Sequence, residues 1–131
     1  MGLFNGLFNG KRSSDEAKEV QAEWIDLEDM DQLEAITEDS HEKMQVVFKH
    51  STSCGISNMV LRRFKSSFAL EENEARLYYL DLHRHRDISN EISRKFGIAH
   101  ESPQLLIVRN GKVVEHDSHS GINTIELKQY I

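Results

Sequence analysis

The chain contains one cysteine, Cys54, at a position where its thiol could act as a nucleophile. It follows an apolar run, residues 46–48, that predicts a buried strand, and it precedes apolar residues spaced four apart, which predict one face of a helix. These are Ile56, Val60, Phe64 and Phe68. At a helix N-terminus the free backbone N–H groups and the positive end of the helix dipole favour an anion. Because a thiolate is such an anion and is the reactive form of cysteine, the sequence predicts a nucleophile at Cys54.

The residues around Cys54 help to decide whether the cysteine is reactive or only part of the core. A free cysteine is often a small buried hydrophobic residue, which would make Cys54 unreactive. Here the neighbouring positions are polar and typical of a turn: Ser51, Thr52, Ser53, Gly55 and Ser57. We therefore favour a reactive cysteine, and a purely structural domain with an unreactive Cys54 stays open as an alternative.

The size and charge of the chain limit the classes of protein to which it can belong. Its 131 residues, 38% hydrophobic and 29% charged, are typical of one soluble globular domain. The formal net charge of -6 argues against nucleic acid as a partner, and no apolar run approaches the length of a membrane span. One cysteine excludes an internal disulfide framework and a Cys₂His₂ zinc site within the chain. It is also typical of a reducing cytosol, so we expect a cytoplasmic monomer without a metal site or a membrane partner.

The first 22 residues differ from the rest of the chain. Residues 2–9 form a tandem Gly-Leu-Phe-Asn repeat, and residues 11–19 are polar and charged. The repeat lacks the basic start and sustained apolar core of a secretory signal. Its apolar side chains could touch a membrane or a partner, but we interpret residues 1–22 as a flexible tail and place the folded domain at residues 23–131.

The predicted elements over residues 23–131 follow the order β-α-β-α-β-α-β-β-α, which indicates an α/β domain. Strands linked by helices favour parallel pairing, whereas Asn110 and Gly111 predict a tight hairpin between the last two strands, so we expect a mixed sheet. Asn123 and Glu126 predict the start of a last helix. A nucleophile that directly follows a strand lies beyond its carboxyl end, where α/β sheets place functional sites.

This order, with Cys54 at the start of the second helix and Pro103 at the start of the fourth strand, resembles the thioredoxin fold. The resemblance covers residues 23–131 and implies a central mixed sheet with helices on both faces. Residues 48–57 (Phe-Lys-His-Ser-Thr-Ser-Cys-Gly-Ile-Ser) and 101–104 (Glu-Ser-Pro-Gln) are more narrowly similar to the YtxJ-like family of monothiol bacilliredoxins. That resemblance implies an enzyme that removes bacillithiol, a low-molecular-weight thiol of some Gram-positive bacteria, from mixed disulfides on proteins.

The resemblance also implies a role for each matching residue. Cys54 corresponds to the attacking cysteine, and Ser57 stands where dithiol oxidoreductases have a resolving cysteine. Pro103 corresponds to a cis proline that faces the active-site cysteine, and the backbone of Ser102 to one that pairs with a bound substrate chain. The implied substrate-binding residues are Thr52, Gly55, Ile56, Ser57, Ser102 and Pro103. Phe48 replaces the buried acid of thioredoxin, which argues against a two-cysteine reductase activity.

Two further residues before the cysteine, Lys49 and His50, could add positive potential that stabilises the thiolate. The resemblance implies bacillithiol as a co-substrate, no tightly bound cofactor, and S-bacillithiolated proteins as clients. Because no second cysteine is present, a second free thiol must release bacillithiol from Cys54.

Two other functions stay open at this point. The sequence Cys-Gly-Ile-Ser at residues 54–57 resembles the Cys-Gly-Phe-Ser of monothiol glutaredoxins, which share an iron–sulfur cluster across a dimer with a small thiol as extra ligand. A redox sensor or adaptor could instead accept the thiol on Cys54 and remain modified. His83 and His85 alternate with arginines and could suggest a metal or phosphate site, but two histidines without matching carboxylates favour a solvated loop.

Overall fold

The computed structural model describes residues 23–131, and the predicted tail at residues 1–22 lies outside the described residues. Within this range the chain forms one sheet with helices on both of its faces. The strands are β1 (Trp24–Asp26), β2 (Met44–His50), β3 (Ala75–Asp81), β4 (Gln104–Arg109) and β5 (Lys112–Ser118). The α-helices are α1 (Asp31–Asp39), α2 (Gly55–Ser67) and α3 (Arg86–Phe96), and two short 3₁₀ helices follow at His119–Thr124 and Leu127–Tyr130.

The sheet has the strand order β1-β3-β2-β4-β5 and is mixed. β1, β3 and β2 run parallel, whereas β4 is antiparallel to β2 and β5 is antiparallel to β4. The turn between β4 and β5 contains Asn110 (φ 54°) and Gly111 (φ 79°), the positive φ values that the tightest hairpin turns require. The predicted mixed α/β sheet of the thioredoxin type is confirmed.

Two hydrophobic cores, one on each face of the sheet, fix the helices. Side chains alternate between the two faces of a strand, so β2 contributes Val46 and Phe48 to the core under α2 and Val47 to the core under α1 and α3. All seven residues of β2 are buried, as expected for a central strand that is covered on both faces. The strand that leads to Cys54 is therefore the most enclosed one of the sheet, and it gives the loop after it a rigid base.

The prediction of an α-helix at the C-terminal end is wrong. Two 3₁₀ helices occupy this segment, and Ile125 between them is extended (φ -74°, ψ 131°). Its backbone N–H donates to Ile122 O (3.4 Å), a bond across three residues rather than four. The side chains that contact the core are Ile122, Ile125, Leu127 and Tyr130. Because their spacings of three, two and three residues do not follow the 3.6-residue period, one α-helix could not bury all four.

Candidate active site

Cys54 lies at the N-cap of α2, at the end of the loop that follows β2. Its backbone is extended (φ -104°, ψ 122°), and the residue is partly exposed. The backbone N–H of Asn58 donates to Cys54 O (3.0 Å) as the first hydrogen bond of the helix. The N–H groups of residues 55–57 therefore have no acceptor within the helix, and together with the helix dipole they favour negative charge at this end of α2.

The first turns of α2 present an accessible, partly apolar surface beside Cys54. Ile56 is 56% exposed and Met59 is 43% exposed. A Cβ atom added at Gly55 would have no atom within 4 Å, so the backbone there can be approached closely. Thr52 is also exposed, and its carbonyl oxygen accepts a hydrogen bond from Asn58 Nδ2 (3.3 Å). The predicted substrate-binding residues Thr52, Gly55 and Ile56 thus lie together around Cys54.

The side chain of His83 contacts the loop before Cys54. His83 Nε2 lies 2.9 Å from Ser51 Oγ and 3.1 Å from Ser53 Oγ. The contact follows from the sheet order, because His50 at the end of β2 pairs with Asp81 at the end of β3 and the two following loops lie side by side. His83 lies in a segment that the sequence predicts as a solvated loop. It is exposed, but it also binds the residue directly before the cysteine, and no sequence pattern indicates that contact.

Ser57 is fully buried, and its hydroxyl is bonded to the end of β2. Ser57 Oγ is hydrogen-bonded to His50 Nδ1 (2.7 Å), and it also accepts from the backbone N–H of Ser51 (3.1 Å). Burial lowers the pKa of His50, which favours the neutral ring. In this arrangement the hydroxyl at the position of a resolving cysteine is bonded to His50 and to the backbone of Ser51.

The peptide bond between Ser102 and Pro103 is cis, as the resemblance implied. Gln104 at the start of β4 pairs with Lys49 near the end of β2. The cis bond therefore lies at the same end of the sheet as the loop that leads from β2 to Cys54. Pro103 is buried, and its carbonyl oxygen accepts from the backbone N–H of His119 (3.0 Å). Ser102 Oγ is buried and has no hydrogen-bond partner within residues 23–131.

The comparison with known proteins agrees with this geometry. The family model described as "Monothiol bacilliredoxin BrxC" matches residues 25–127. The chain belongs to this bacilliredoxin family.

Solved structures with the same fold include a proposed oxidoreductase with a thioredoxin fold, at 34% sequence identity and a TM-score of 0.69, covering 82% of this chain and 92% of that one. Reduced thioredoxin pre-protein of Schistosoma mansoni is similar at 26% identity and a TM-score of 0.62, over 84% of this chain and 100% of that one. Thioredoxin of Malassezia sympodialis, at 17% identity and a TM-score of 0.62, covers 82% of this chain and 88% of its own, and it shows the fold alone.

Membership of the bacilliredoxin family and the thioredoxin fold make this chain a thiol–disulfide oxidoreductase. Cys54 is its only cysteine, so a disulfide between two of its own residues cannot form. Phe48, at the position of the buried acid of thioredoxin, is completely buried in the core under α2. The chain therefore offers no carboxylate at that point to receive a proton from a second thiol.

Lys49 lies on the opposite face of the sheet from Phe48 and α2, because neighbouring residues of a strand point to opposite faces. Its side chain is completely buried, and Nζ has no hydrogen-bond partner among the described residues. Burial lowers the pKa of Lys49 from 10.5 to about 8. Burial, together with the nearby Lys49 and Arg86, also lowers the pKa of His100. The structure thus brings His50, but not Lys49, to the loop of Cys54, and thiolate tuning by either residue stays a prediction.

The remaining histidines do not form a metal site in the described part of the chain. Within residues 23–131, no group of three or more His, Cys, Asp or Glu side chains is arranged to hold a metal ion. No helix in that range is long and apolar enough to cross a membrane.

Proposed function

We propose that this chain removes bacillithiol from S-bacillithiolated proteins by a monothiol cycle at Cys54. The observation that carries the proposal is a partly exposed single cysteine at the N-cap of α2, at the same sheet edge as the cis Ser102–Pro103 bond, in a chain of the bacilliredoxin family. Clients would be cytoplasmic proteins with accessible mixed disulfides, and the enzyme would act as a monomer with bacillithiol as its co-substrate.

In the first step, the thiolate of Cys54 attacks the bacillithiol sulfur of the client's mixed disulfide. The new bond joins Cys54 Sγ to bacillithiol, and the bond between bacillithiol and the client breaks. The client sulfur leaves as a thiolate and takes a proton from water. One disulfide is consumed and one is formed, so the step needs no external oxidant or reductant.

In the second step, a free bacillithiol thiolate attacks the bacillithiol sulfur attached to Cys54. The products are the symmetric bacillithiol disulfide and the thiolate of Cys54, which is ready for another client. An intramolecular release is impossible because the chain has no second cysteine. Each turnover therefore consumes one free bacillithiol, and the other half of the bacillithiol disulfide is the group removed from the client.

The residues around Cys54 would have different roles in binding. The exposed Thr52, Gly55 and Ile56 would contact the client or bacillithiol, and the backbone of Ser102 beside Pro103 would pair with the client chain. Ser57 is buried, so its contribution would be to hold the loop in place through its bond to the backbone N–H of Ser51.

Intact-mass spectrometry after mixing the reduced protein with a bacillithiolated client tests the proposal. We expect one bacillithiol on Cys54 with recovery of the client thiol, and its release when free bacillithiol is added. The Cys54→Ser variant should leave the client unchanged. Transfer without release would identify a sensor or adaptor instead of an enzyme with turnover. An unmodified Cys54 beside an unchanged client would reject the proposed function.

A further inference from the structure

His83 makes a contact that neither the family nor the exchange cycle assigns, and it lies in the loop next to that of the nucleophile. We propose that His83 is a positioning residue, whose imidazole holds residues 51–53 and thereby sets how Cys54 is presented to a disulfide. This inference rests on the proposed use of Cys54 as the nucleophile, but it does not depend on bacillithiol as the thiol that is transferred.

The loop held by His83 is short. Residues 51–53 connect the last residue of β2 to Cys54, so a displacement of any one of them moves the cysteine. Ser51 is bonded through its backbone at two points, its N–H to Ser57 Oγ (3.1 Å) and its carbonyl to the N–H of Cys54 (3.2 Å). Ser53, the residue before the cysteine, has its side chain bonded to His83 Nε2 (3.1 Å).

His83 is itself held by the end of β3. Its backbone N–H donates to Asp81 Oδ1 (3.0 Å), and the N–H of Leu82 donates to the carbonyl of His50 (2.9 Å). Because β2 and β3 are central neighbours in the sheet, their ends form a rigid base for both loops. His83 therefore transmits the position of the β3 end to the loop of the nucleophile.

The imidazole suits this role chemically. Ser51 Oγ and Ser53 Oγ lie 3.5 Å apart, and His83 Nε2 is within hydrogen-bond distance of both. A ring nitrogen can donate to a hydroxyl oxygen or accept from a hydroxyl. One serine hydroxyl can therefore bond Nε2 of His83 and the hydroxyl of the other serine at the same time. In His83→Ala the hydroxyls of Ser51 and Ser53 would lose the ring nitrogen as a partner, and residues 51–53 would lose their side-chain contact with the loop after β3.

A poorly held loop should slow the reaction rather than weaken the fold. Thiol–disulfide exchange needs the attacking sulfur close to the disulfide and correctly oriented, and small misplacements reduce the rate. One or two exposed hydrogen bonds are at stake, so we expect His83→Ala to slow disulfide formation on Cys54 by about two-fold to ten-fold. We expect the change in the rate of exchange, measured at a fixed concentration of either the bacillithiolated client or the small disulfide.

The test compares His83→Ala, His83→Gln and His85→Ala in the full-length protein. Two rates are measured for each variant: transfer from a bacillithiolated client, and reaction of Cys54 with a small aromatic disulfide that contains no bacillithiol. Glutamine offers an amide near the position of Nε2, so we expect it to restore most of the lost rate. His85→Ala should react like the unaltered protein, because the His85 ring bonds neither serine.

A second set of variants asks whether His83 acts through the serines. We expect Ser51→Ala combined with Ser53→Ala to slow both reactions by about as much as His83→Ala, and His83→Ala to cause no further loss in that background. A full additional loss there, or an unaltered rate in His83→Ala alone, would overturn the inference. If His83→Ala does not fold, the serine variant and the rescue by glutamine decide.

The two readouts keep this inference separate from the proposed function. If no variant and not even the unaltered protein accepts bacillithiol, but His83→Ala still reacts slowly with the small disulfide, the bacillithiol cycle fails and the positioning role stands. If bacillithiol is transferred normally by His83→Ala, the positioning role fails and the cycle stands.

Discussion

The Ser57 hydroxyl lies 2.7 Å from His50 Nδ1, directly below the loop that carries Cys54. Both side chains are buried, so the bond is shielded from solvent and links the first turn of α2 to the last residue of β2. In a dithiol enzyme the position of Ser57 would hold the second cysteine. Here Ser57 is bonded instead to His50 and to the backbone N–H of Ser51, the first residue of the loop.

The first prediction concerns Ser57→Cys, which creates the Cys-x-x-Cys spacing of dithiol oxidoreductases. We expect this variant to release bacillithiol from Cys54 without added thiol and to form an internal disulfide, seen by intact mass as the loss of two hydrogens. Ser66→Cys, near the exposed C-terminal end of α2, is the matched control and should keep the mixed disulfide. Equal retention of bacillithiol by both variants would show that position 57 cannot reach the sulfur of Cys54.

A second prediction follows from the lowered pKa of His50, which burial causes. Between the folded-state value and the ordinary 6.5, the unfolded chain binds a proton that the folded chain does not. The free energy of unfolding should therefore fall as the pH falls through this window. His50→Asn keeps a polar group near the position of Nδ1 but does not titrate, so its free energy of unfolding should fall less.

Urea unfolding of both proteins between about pH 5 and pH 7 measures this difference. Burial also lowers the pKa of His100, but that residue is the same in both proteins, so its contribution cancels in the comparison. Parallel pH profiles for the two proteins would contradict a buried, neutral His50.

The third prediction concerns Lys49, whose pKa burial lowers from 10.5 to about 8. Between these values the unfolded chain keeps a proton that the folded chain has lost, so the stability should rise as the pH rises from 8 towards 10.5. At about 1.36 kcal/mol per pKa unit, the rise is at most about 3 kcal/mol. Lys49→Met should remove this rise, and at neutral pH it should stabilise the fold by about 1 to 3 kcal/mol, since an unpaired charge is no longer buried.

Lys112→Met is the control, because Lys112 is exposed on β5. Urea unfolding at pH 7 and pH 9.5 measures the stabilities, and the alkylation rate of Cys54 in the same variants tests thiolate tuning. Because Lys49 lies on the face away from α2, we expect its loss to leave the alkylation rate nearly unchanged. A markedly slower Lys49→Met would establish the long-range effect that the sequence suggested.

The sequence was sufficient for the elements whose signal is local. The buried run of β2 and the Asn110-Gly111 turn each depend on neighbours in the chain, and the structure contains both. The four-residue spacing predicted α2, where Val60 and Phe64 are buried, but Ile56 on the same predicted face is exposed. The last helix was predicted wrongly because Asn123 and Glu126 resemble a helix start. In the structure, 3₁₀ turns bring the side chains of Ile122 and Ile125 against the core. Local start signals do not decide between the two helix types in so short a segment.

Contacts between distant residues could not be derived from local patterns. His83 reaches Ser53 because β2 and β3 are neighbours in the sheet, whereas local sequence patterns predict only that both segments are strands. The opposite orientations of Lys49 and His50 follow from strand alternation, but only once β2 is known to continue to His50. The sequence was therefore sufficient to predict Cys54 as the nucleophile and Pro103 as a cis proline, of which the structure contains the cis bond. The contacts that hold the loop of Cys54 could be found only once the sheet order was known.

The last prediction concerns the exposed Ile56, one of the residues expected to contact clients. Its side chain lies two positions after Cys54 and, with Met59, forms an apolar surface that a protein client would cover. Partial burial of an isoleucine is worth about 1 to 2 kcal/mol, so Ile56→Ser should lower the kcat/KM for a bacillithiolated protein by about five-fold to thirty-fold. The reaction with a small bacillithiol disulfide should change little, because that molecule is too small to cover both side chains.

Val114→Ser is the matched control, since Val114 is 44% exposed on β5 at the far edge of the sheet from β1. It should leave both reactions unaltered. Parallel losses with both substrates in Ile56→Ser would mean that the residue acts on Cys54 itself, and an unaltered kcat/KM for the protein client would place the client surface elsewhere. A loss confined to the protein client would locate that surface on the first turns of α2.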